Sequence, residues 1–152
     1  MQKITPNLWF DGNAKEAVDF YVSTFPDSKI ISTLNYPKSA EEGLADFQTD
    51  LAGKVLTVDF ELGNQQFTAI NAGPEFKFSE AISFAVICKD QAEIDYFWKK
   101  LSSVPESEQC GWCKDKYGLS WQIVPENMGD LMEKPDAFAK MMQMKKLVIA
   151  DF

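Results

Sequence analysis

The chain has 152 residues and not one histidine. That removes the imidazole on which most zinc sites, catalytic triads and near-neutral proton shuttles depend. Cysteine is scarce too. Three residues, an odd number, give no disulfide framework and fit a reducing compartment. No apolar run approaches the roughly 18–20 residues that a membrane span needs. The opening residues, Met1-Gln2-Lys3-Ile4-Thr5-Pro6, have no apolar core of a secretion signal. We therefore expect a soluble, cytoplasmic protein. Positive charge is also short, with 15 basic against 23 acidic residues and a net charge of −8. Such a balance argues against nucleic acid and against anionic membranes as partners. The eight glycines are scattered, and no G-x-G turn, P-loop, G-x-S-x-G elbow or zincin helix occurs.

What is present is a repeat. Leu8-Trp9-Phe10-Asp11 followed by Ala14 to Tyr21 matches Ala85-Val86-Ile87-Cys88 followed by Gln91 to Trp98. Glu16 to Glu93 and Tyr21 to Trp98 share one offset, 77 residues. Two copies of a strand–helix unit packed about a shared cleft follow from that duplication. With 45% hydrophobic and 13% aromatic residues, the chain can fill a core and still line a pocket with rings.

Local patterns extend the unit. Ile4 to Phe10 reads as a strand, Asn13 as a helix cap, and Ala14 to Phe25 as a helix stopped by Pro26. Ser28 to Asn35 is a second strand, and residues 36–54 are a long polar loop or flap. Val55 to Glu61 and Gln66 to Asn71 form a hairpin about Gly63-Asn64. The second half gives a strand over Ile82 to Cys88, a cap at Asp90 and a helix over Gln91 to Ser102. Strands over Gln109 to Lys114 and Leu119 to Val124 follow, joined by the turn Asp115-Lys116-Tyr117-Gly118. Beyond Pro125 we expect a methionine-rich helix, about Asp136 to Lys145, covering the sheet or a dimer seam. A short edge strand over Leu147 to Ala150 ends the chain.

Together with the 115–125 turn, Ile4 to Ala14, Phe67 to Pro74, Ile94 to Trp98 and Gln109 to Trp112 resemble the PhnB-like branch of the vicinal oxygen chelate superfamily. That superfamily includes glyoxalase I, bleomycin-resistance proteins and extradiol dioxygenases. The branch often carries the label 3-demethylubiquinone-9 3-methyltransferase-like. The resemblance implies an α+β fold of two βαβββ modules whose curled mixed sheet surrounds a cleft, in a homodimer. A single domain of 1–152 would then hold module one at about 1–78, module two at about 79–126 and a C-terminal extension at 127–152.

Enzymes of this superfamily hold a divalent metal with His and Glu side chains from the first and last strands of each module. Here the resemblance aligns those places with Pro6 and Asn7, Thr68, Ala81 to Ser83, and Gln122. None is an anion or an imidazole, so we expect no metal and no cofactor. Asn7, Thr68, Ser83 and Gln122 would instead hydrogen-bond a neutral ligand or one another. Trp9, Phe67, Trp112 and Trp121 fall on strands that would wall the cleft, either stacking on a planar ligand or packing into the core.

Three residues are candidate proton handlers: Glu61 and Asp59, which alternate on one strand face, and Cys110 of Cys110-Gly111-Trp112-Cys113. Redox C-x-x-C pairs place the first thiol at a helix N-terminus, whereas this motif falls in a strand pattern. A methyltransferase of the glycine-rich, Rossmann-like kind is disfavoured because its phosphate-binding turn is missing. The sequence thus points to metal-independent binding of a small apolar or aromatic molecule. The alternatives are a small isomerase, lyase or transferase using carboxylate or thiol groups, and a structural dimer without a ligand.

Overall fold

The computed structural model describes residues 2–152, and the chain divides into two compact units, Met1–Lys77 and Phe78–Phe152. In the first, β1 (Asn7–Asp11), α1 (Ala14–Thr24), β2 (Lys29–Asn35), β3 (Val55–Leu62) and β4 (Gln65–Ala72) form a complete βαβββ module. Its sheet runs β1-β4-β3-β2, with β1 parallel to β4 and the other pairs antiparallel. Strand side chains alternate between faces, so Val58, Phe60, Phe67 and Ala69 all point one way and are buried. Ala14, Ala17, Val18 and Tyr21 of α1 close over them, and Tyr21, Phe60 and Phe67 stack at centroid distances of 6.4 and 5.4 Å.

Asn13 occupies the cap position of α1, but its side chain makes no capping bond. The role passes to buried Asn71 on β4, whose Oδ1 accepts from the Ala14 N–H at 3.1 Å. The same amide donates to the Val55 carbonyl at 2.9 Å, and the Asn71 carbonyl accepts from the Tyr36 hydroxyl at 2.7 Å. One polar residue thereby ties the helix, two strands and the start of the long loop. A buried amide holds only where its groups are paired in this way.

The second unit contains β5 (Ser83–Cys88), α2 (Gln91–Leu101), β6 (Trp112–Lys114) and β7 (Ser120–Pro125), in the order β5-β7-β6. Asp90 caps α2 as expected, its carboxylate accepting from the Glu93 N–H at 2.9 Å. The strand corresponding to β2 is missing here, and a 3-10 turn over Pro105–Ser107 follows the helix instead. The strands lie in two mixed sheets, one of four strands and one of three, as two βαβββ-type modules imply.

β6 is also shorter than expected. Cys110 and Gly111 have φ of 41° and 89°, and Gln109 and Trp112 exchange backbone hydrogen bonds of 3.1 and 2.7 Å across them. That is a two-residue hairpin turn, which consumes half of the expected strand. Only glycine suits its second position, since a Cβ there would meet Leu147 at 3.1 Å and the Ile123 carbonyl at 3.2 Å.

The helix expected over Asp136 to Lys145 is not realised at full length. It is α4 (Ala137–Met142), and an unexpected short helix, α3 (Met128–Met132), precedes it, the two separated at Pro135 and at Asp136 with φ of 59°. Nor is Leu147 to Ala150 a strand. The Gln91 amide captures its backbone, donating to the Leu147 carbonyl at 3.0 Å and accepting from the Ile149 N–H at 2.8 Å. With both groups taken, the tail turns into a 3-10 segment, Ile149–Asp151. Leu147 packs with Leu131, Ala137 and Phe152 in a small core fringed by methionines. The extension is therefore part of the second unit and not an appendage.

Candidate functional site

The face of the first sheet opposite α1 carries Asn7, Trp9 and Asp11 of β1, Thr68, Ile70 and Ala72 of β4, and Thr57, Asp59 and Glu61 of β3. Register lays Asn7, Thr68 and Asp59 side by side, and likewise Trp9, Ile70 and Thr57. Asp59 is held at both oxygens. The Thr68 hydroxyl donates to Oδ1 at 2.6 Å and the Ser32 hydroxyl to Oδ2 at 3.1 Å. Glu61 shares this face and lies 3.8 Å from Lys29. The Asn7 amide turns back to the Thr5 carbonyl at 2.9 Å.

Phe67 does not belong to this face. It is adjacent to Thr68 on one strand, so the two side chains point opposite ways, and Phe67 is buried in the ring stack under α1.

Beside Trp9 and Ile70 opens a cavity of about 600 Å³. Strand residues form its floor, and Phe47, Gln48, Asp50 and Leu51 of the long loop stand over it. The loop is shaped rather than slack. Its neck is closed by hydrogen bonds from Tyr36 N–H to the Lys54 carbonyl at 2.8 Å and from Gly53 N–H to the Pro37 carbonyl at 3.1 Å. Two 3-10 turns, Ala40–Glu42 and Asp46–Leu51, fold the chain between them.

Trp9 is fixed by its indole N–H, which donates to the Gly73 carbonyl at 2.9 Å, and by an edge contact with Phe76 at 4.8 Å. Burial, and after it the neighbouring Glu75 carboxylate, push the Tyr36 phenol above its ordinary pKa. Phe47 is 87% exposed, an unusual state for so large an apolar side chain at a cavity rim. Tyr36, Phe47, Ile70 and Glu75 were not among the residues singled out from sequence. The signal for Phe47 was an isolated aromatic in an otherwise polar loop.

In the second unit Ser83, Trp112 and Gln122 do come together. Trp112 and Gln122 are register partners, and the Gln122 amide donates to the Ser83 hydroxyl at 2.9 Å. Trp121 falls on the other face, where it is buried and its indole N–H donates to Asp115 at 2.9 Å. Adjacent strand residues again cannot share a face. So both Phe67 and Trp121 are core, and the sheet faces opposite the helices keep Trp9 and Trp112.

The three cysteines are free. Burial, aided by neighbouring carboxylates, drives the thiols of Cys88 and Cys113 up to about 12, and burial also raises Cys110. Cys110 lies in the hairpin turn and not on a strand or at a helix N-terminus. A thiol so displaced stays protonated near neutrality and is a weak nucleophile.

Because these folded pKa values stand above the ordinary 9.0, the thiols' contribution to stability is full below pH 9. It is lost as the pH climbs from there through about 12, where the unfolded chain releases protons that the folded one keeps. At pH 8 a disulfide reagent such as Ellman's should therefore titrate Cys110 slowly and the other two only after denaturant is added. Rapid reaction of all three native thiols would contradict this placement.

A divalent metal at the chelate positions is not supported by the donors present. Asn7 donates its amide to a carbonyl, Thr68 donates its hydroxyl to Asp59, and Gln122 donates to Ser83. The described residues include no group of three His, Cys, Asp or Glu able to hold a metal ion. Ser120 Oγ is buried without a hydrogen-bond partner, but a lone neutral hydroxyl does not make a metal site.

A parallel pair of first and last strands crossed by a helix, built twice in one chain, is the module of the vicinal oxygen chelate superfamily. A family model described as 3-demethylubiquinone-9 3-methyltransferase matches residues 2–124, and the chain belongs to that PhnB-like family. It is 37% identical to a PhnB protein from Bacillus cereus, with a TM-score of 0.63 over 82% of this chain and 99% of that one. The fold is shared with protein PA1353 from Pseudomonas aeruginosa at 19% identity and a TM-score of 0.59, over 83% of this chain and 98% of that one. No curated protein matches. Among the described residues no helix is long and apolar enough to cross a membrane.

Proposed function

We propose that this protein binds a small apolar or aromatic molecule without a metal, in the cavity of its first unit, and works as a homodimer in the cytoplasm. The cavity of about 600 Å³ beside Trp9 carries the reading. Its size suits one drug-sized ligand, and its lining mixes rings and aliphatic side chains with a few polar groups, as binding sites do. The 36–54 loop serves as its lid. In the second unit Trp112 with the Ser83–Gln122 pair offers a neutral surface for a further ligand contact.

The dimer reading is supported by β2, an edge strand exposed along its whole length, with Ile31 at 47% and Leu34 at 59%. Exposed apolar edges are usually covered. Light scattering should return twice the 17.2 kDa of one chain. A monomer at micromolar concentration would remove the dimer from the proposal and leave the cavity. For the ligand, a thermal-shift screen of diverse aromatic compounds should give hits that also change tryptophan fluorescence, and Trp9→Phe should blunt that change. A screen without hits would count against binding altogether.

The family description names a methyltransferase. Its transfer to this chain is not favoured, because the β1–α1 junction holds one glycine, Gly12, and the β5–α2 junction none. A second reading, a small enzyme, rests on Asp59. Two hydroxyls orient its carboxylate on the same sheet face as Trp9, as a general base requires. Glu61 is drawn toward Lys29 and Cys110 is protonated, which leaves them weaker candidates. Asp59→Asn should abolish turnover of any compound found to react while leaving its binding within about twofold. Undiminished turnover would eliminate Asp59 as the base.

A further inference from the structure

We infer that the ligand of the first unit's cavity is an organic cation, an aromatic or alkyl body bearing a quaternary or protonated amine, with Glu75 as its counter-charge. This rests on the reading of that cavity as the binding site and adds the charge of what it holds. Trp9, Tyr36 and Phe47 bring three ring systems to the lining, while Asp11, Asp50 and Glu75 bring three carboxylates against the single cation of Lys54. None of these four charged groups is ion-paired among the described residues.

A neutral apolar ligand would approach those carboxylates and gain nothing from them, and an anion would be repelled. A cation gains twice, from the electron-rich ring faces and from the carboxylates. The charge of −8 on the whole chain steers the same kind of molecule.

Glu75 is the best placed of the three. Its carboxylate folds back over Gly73, so that a Cβ built on Gly73 would lie only 2.7 and 2.9 Å from its two oxygens. Gly73 in turn holds the Trp9 indole through its carbonyl, and the Glu75 charge is felt at the Tyr36 phenol. The carboxylate therefore stands near the Trp9 indole edge, in the lining that Tyr36 shares, and the absence of a side chain at residue 73 leaves it room. Aromatic faces with an adjoining carboxylate form the usual cage for an alkylated ammonium.

The test uses three probes of one shape: phenyltrimethylammonium, its uncharged carbon isostere tert-butylbenzene, and benzenesulfonate. Each is titrated into isotopically labelled full-length protein while the Trp9 indole N–H signal is followed by nuclear magnetic resonance. Phenyltrimethylammonium should shift that signal saturably and bind at least tenfold more tightly than tert-butylbenzene, with benzenesulfonate weakest. Glu75→Gln should weaken the cation about five- to tenfold and leave tert-butylbenzene unchanged.

If tert-butylbenzene shifts Trp9 and binds as tightly as the cation, the cavity is a ligand site and the charge assignment is overturned. Equal loss of both probes in Glu75→Gln would overturn the counter-charge role and show that Glu75 only shapes the pocket. If no probe moves Trp9, the cavity reading itself fails and the cation inference goes with it.

Discussion

Asp115→Ala is expected to cost about 4 kcal/mol of folding stability and to lower the melting temperature by roughly 8–16 °C, at about 2–4 °C per kcal/mol for a chain of this size. Asp115 is fully buried, and its carboxylate accepts three N–H groups. Oδ1 takes those of Tyr117 at 2.8 Å and Leu119 at 3.1 Å, and Oδ2 takes the Trp121 indole at 2.9 Å. Alanine would leave all three donors without their acceptor, those of Leu119 and Trp121 in buried surroundings, and each unpaired buried donor costs about 1–3 kcal/mol.

The same residue sets the turn between β6 and β7, through its carbonyl to the Gly118 N–H and its own N–H to the Leu119 carbonyl, both 3.0 Å. Trp121→Phe removes a donor along with its need for a partner, and should cost less. Thermal denaturation followed by circular dichroism checks both. A shift below about 3 °C in Asp115→Ala would mean that the turn is held by its backbone alone.

The second large effect is on binding. Ile70 lies on the open face of β4, between Trp9 and Thr57 in register, and lines the cavity floor. Ile70→Trp projects an indole into the space a ligand needs. Affinity for cavity ligands should fall at least about a hundredfold, which is roughly 2.7 kcal/mol. The melting temperature should change little, because the added volume enters a void and displaces no packed side chain. Calorimetric titration of the variant against the best compound from the thermal-shift screen measures this. Retained affinity would place the ligand elsewhere.

Much of the fold was legible in the sequence because its signals are local and periodic. Ala14, Ala17, Val18 and Tyr21 fall on one helical face, and all four are buried. Asp90 is a cap wherever its helix begins, and it caps there. Gly63-Asn64 marks the β3–β4 turn for the same reason. Elements decided by contacts distant in sequence were not legible. Asn71 lies 57 residues from the Ala14 N–H that it caps, and Gln91 lies 56 and 58 residues from the tail groups that it captures. No local pattern announces either.

The candidate site divides in the same way. Asn7, Trp9 and Thr68 in the first unit, and Ser83, Trp112 and Gln122 in the second, do share faces of their sheets. Phe67 and Trp121 do not, although strand alternation should have separated them from Thr68 and Gln122 at once. From sequence, Asp59 is a candidate proton handler only by its place on an alternating strand. Its two hydroxyl partners, one on β2 and one on β4, appear only when the register is known. The cavity was the least legible part, because its loop sets Phe47 and Leu51 over a floor built from strands on both sides of it in sequence.

On the proposed function, the first unit's cavity takes an aromatic molecule and needs no metal to do so. The most direct test is a titration of labelled protein, dialysed against EDTA, with a set of aromatic fragments while backbone and indole N–H signals are followed. Saturable shifts are expected at the Trp9 indole and at the amides of Lys54, Ala72 and Gly73, unchanged when zinc, manganese or nickel is restored. Shifts that appear only after metal is restored, or that never reach those residues, would contradict it.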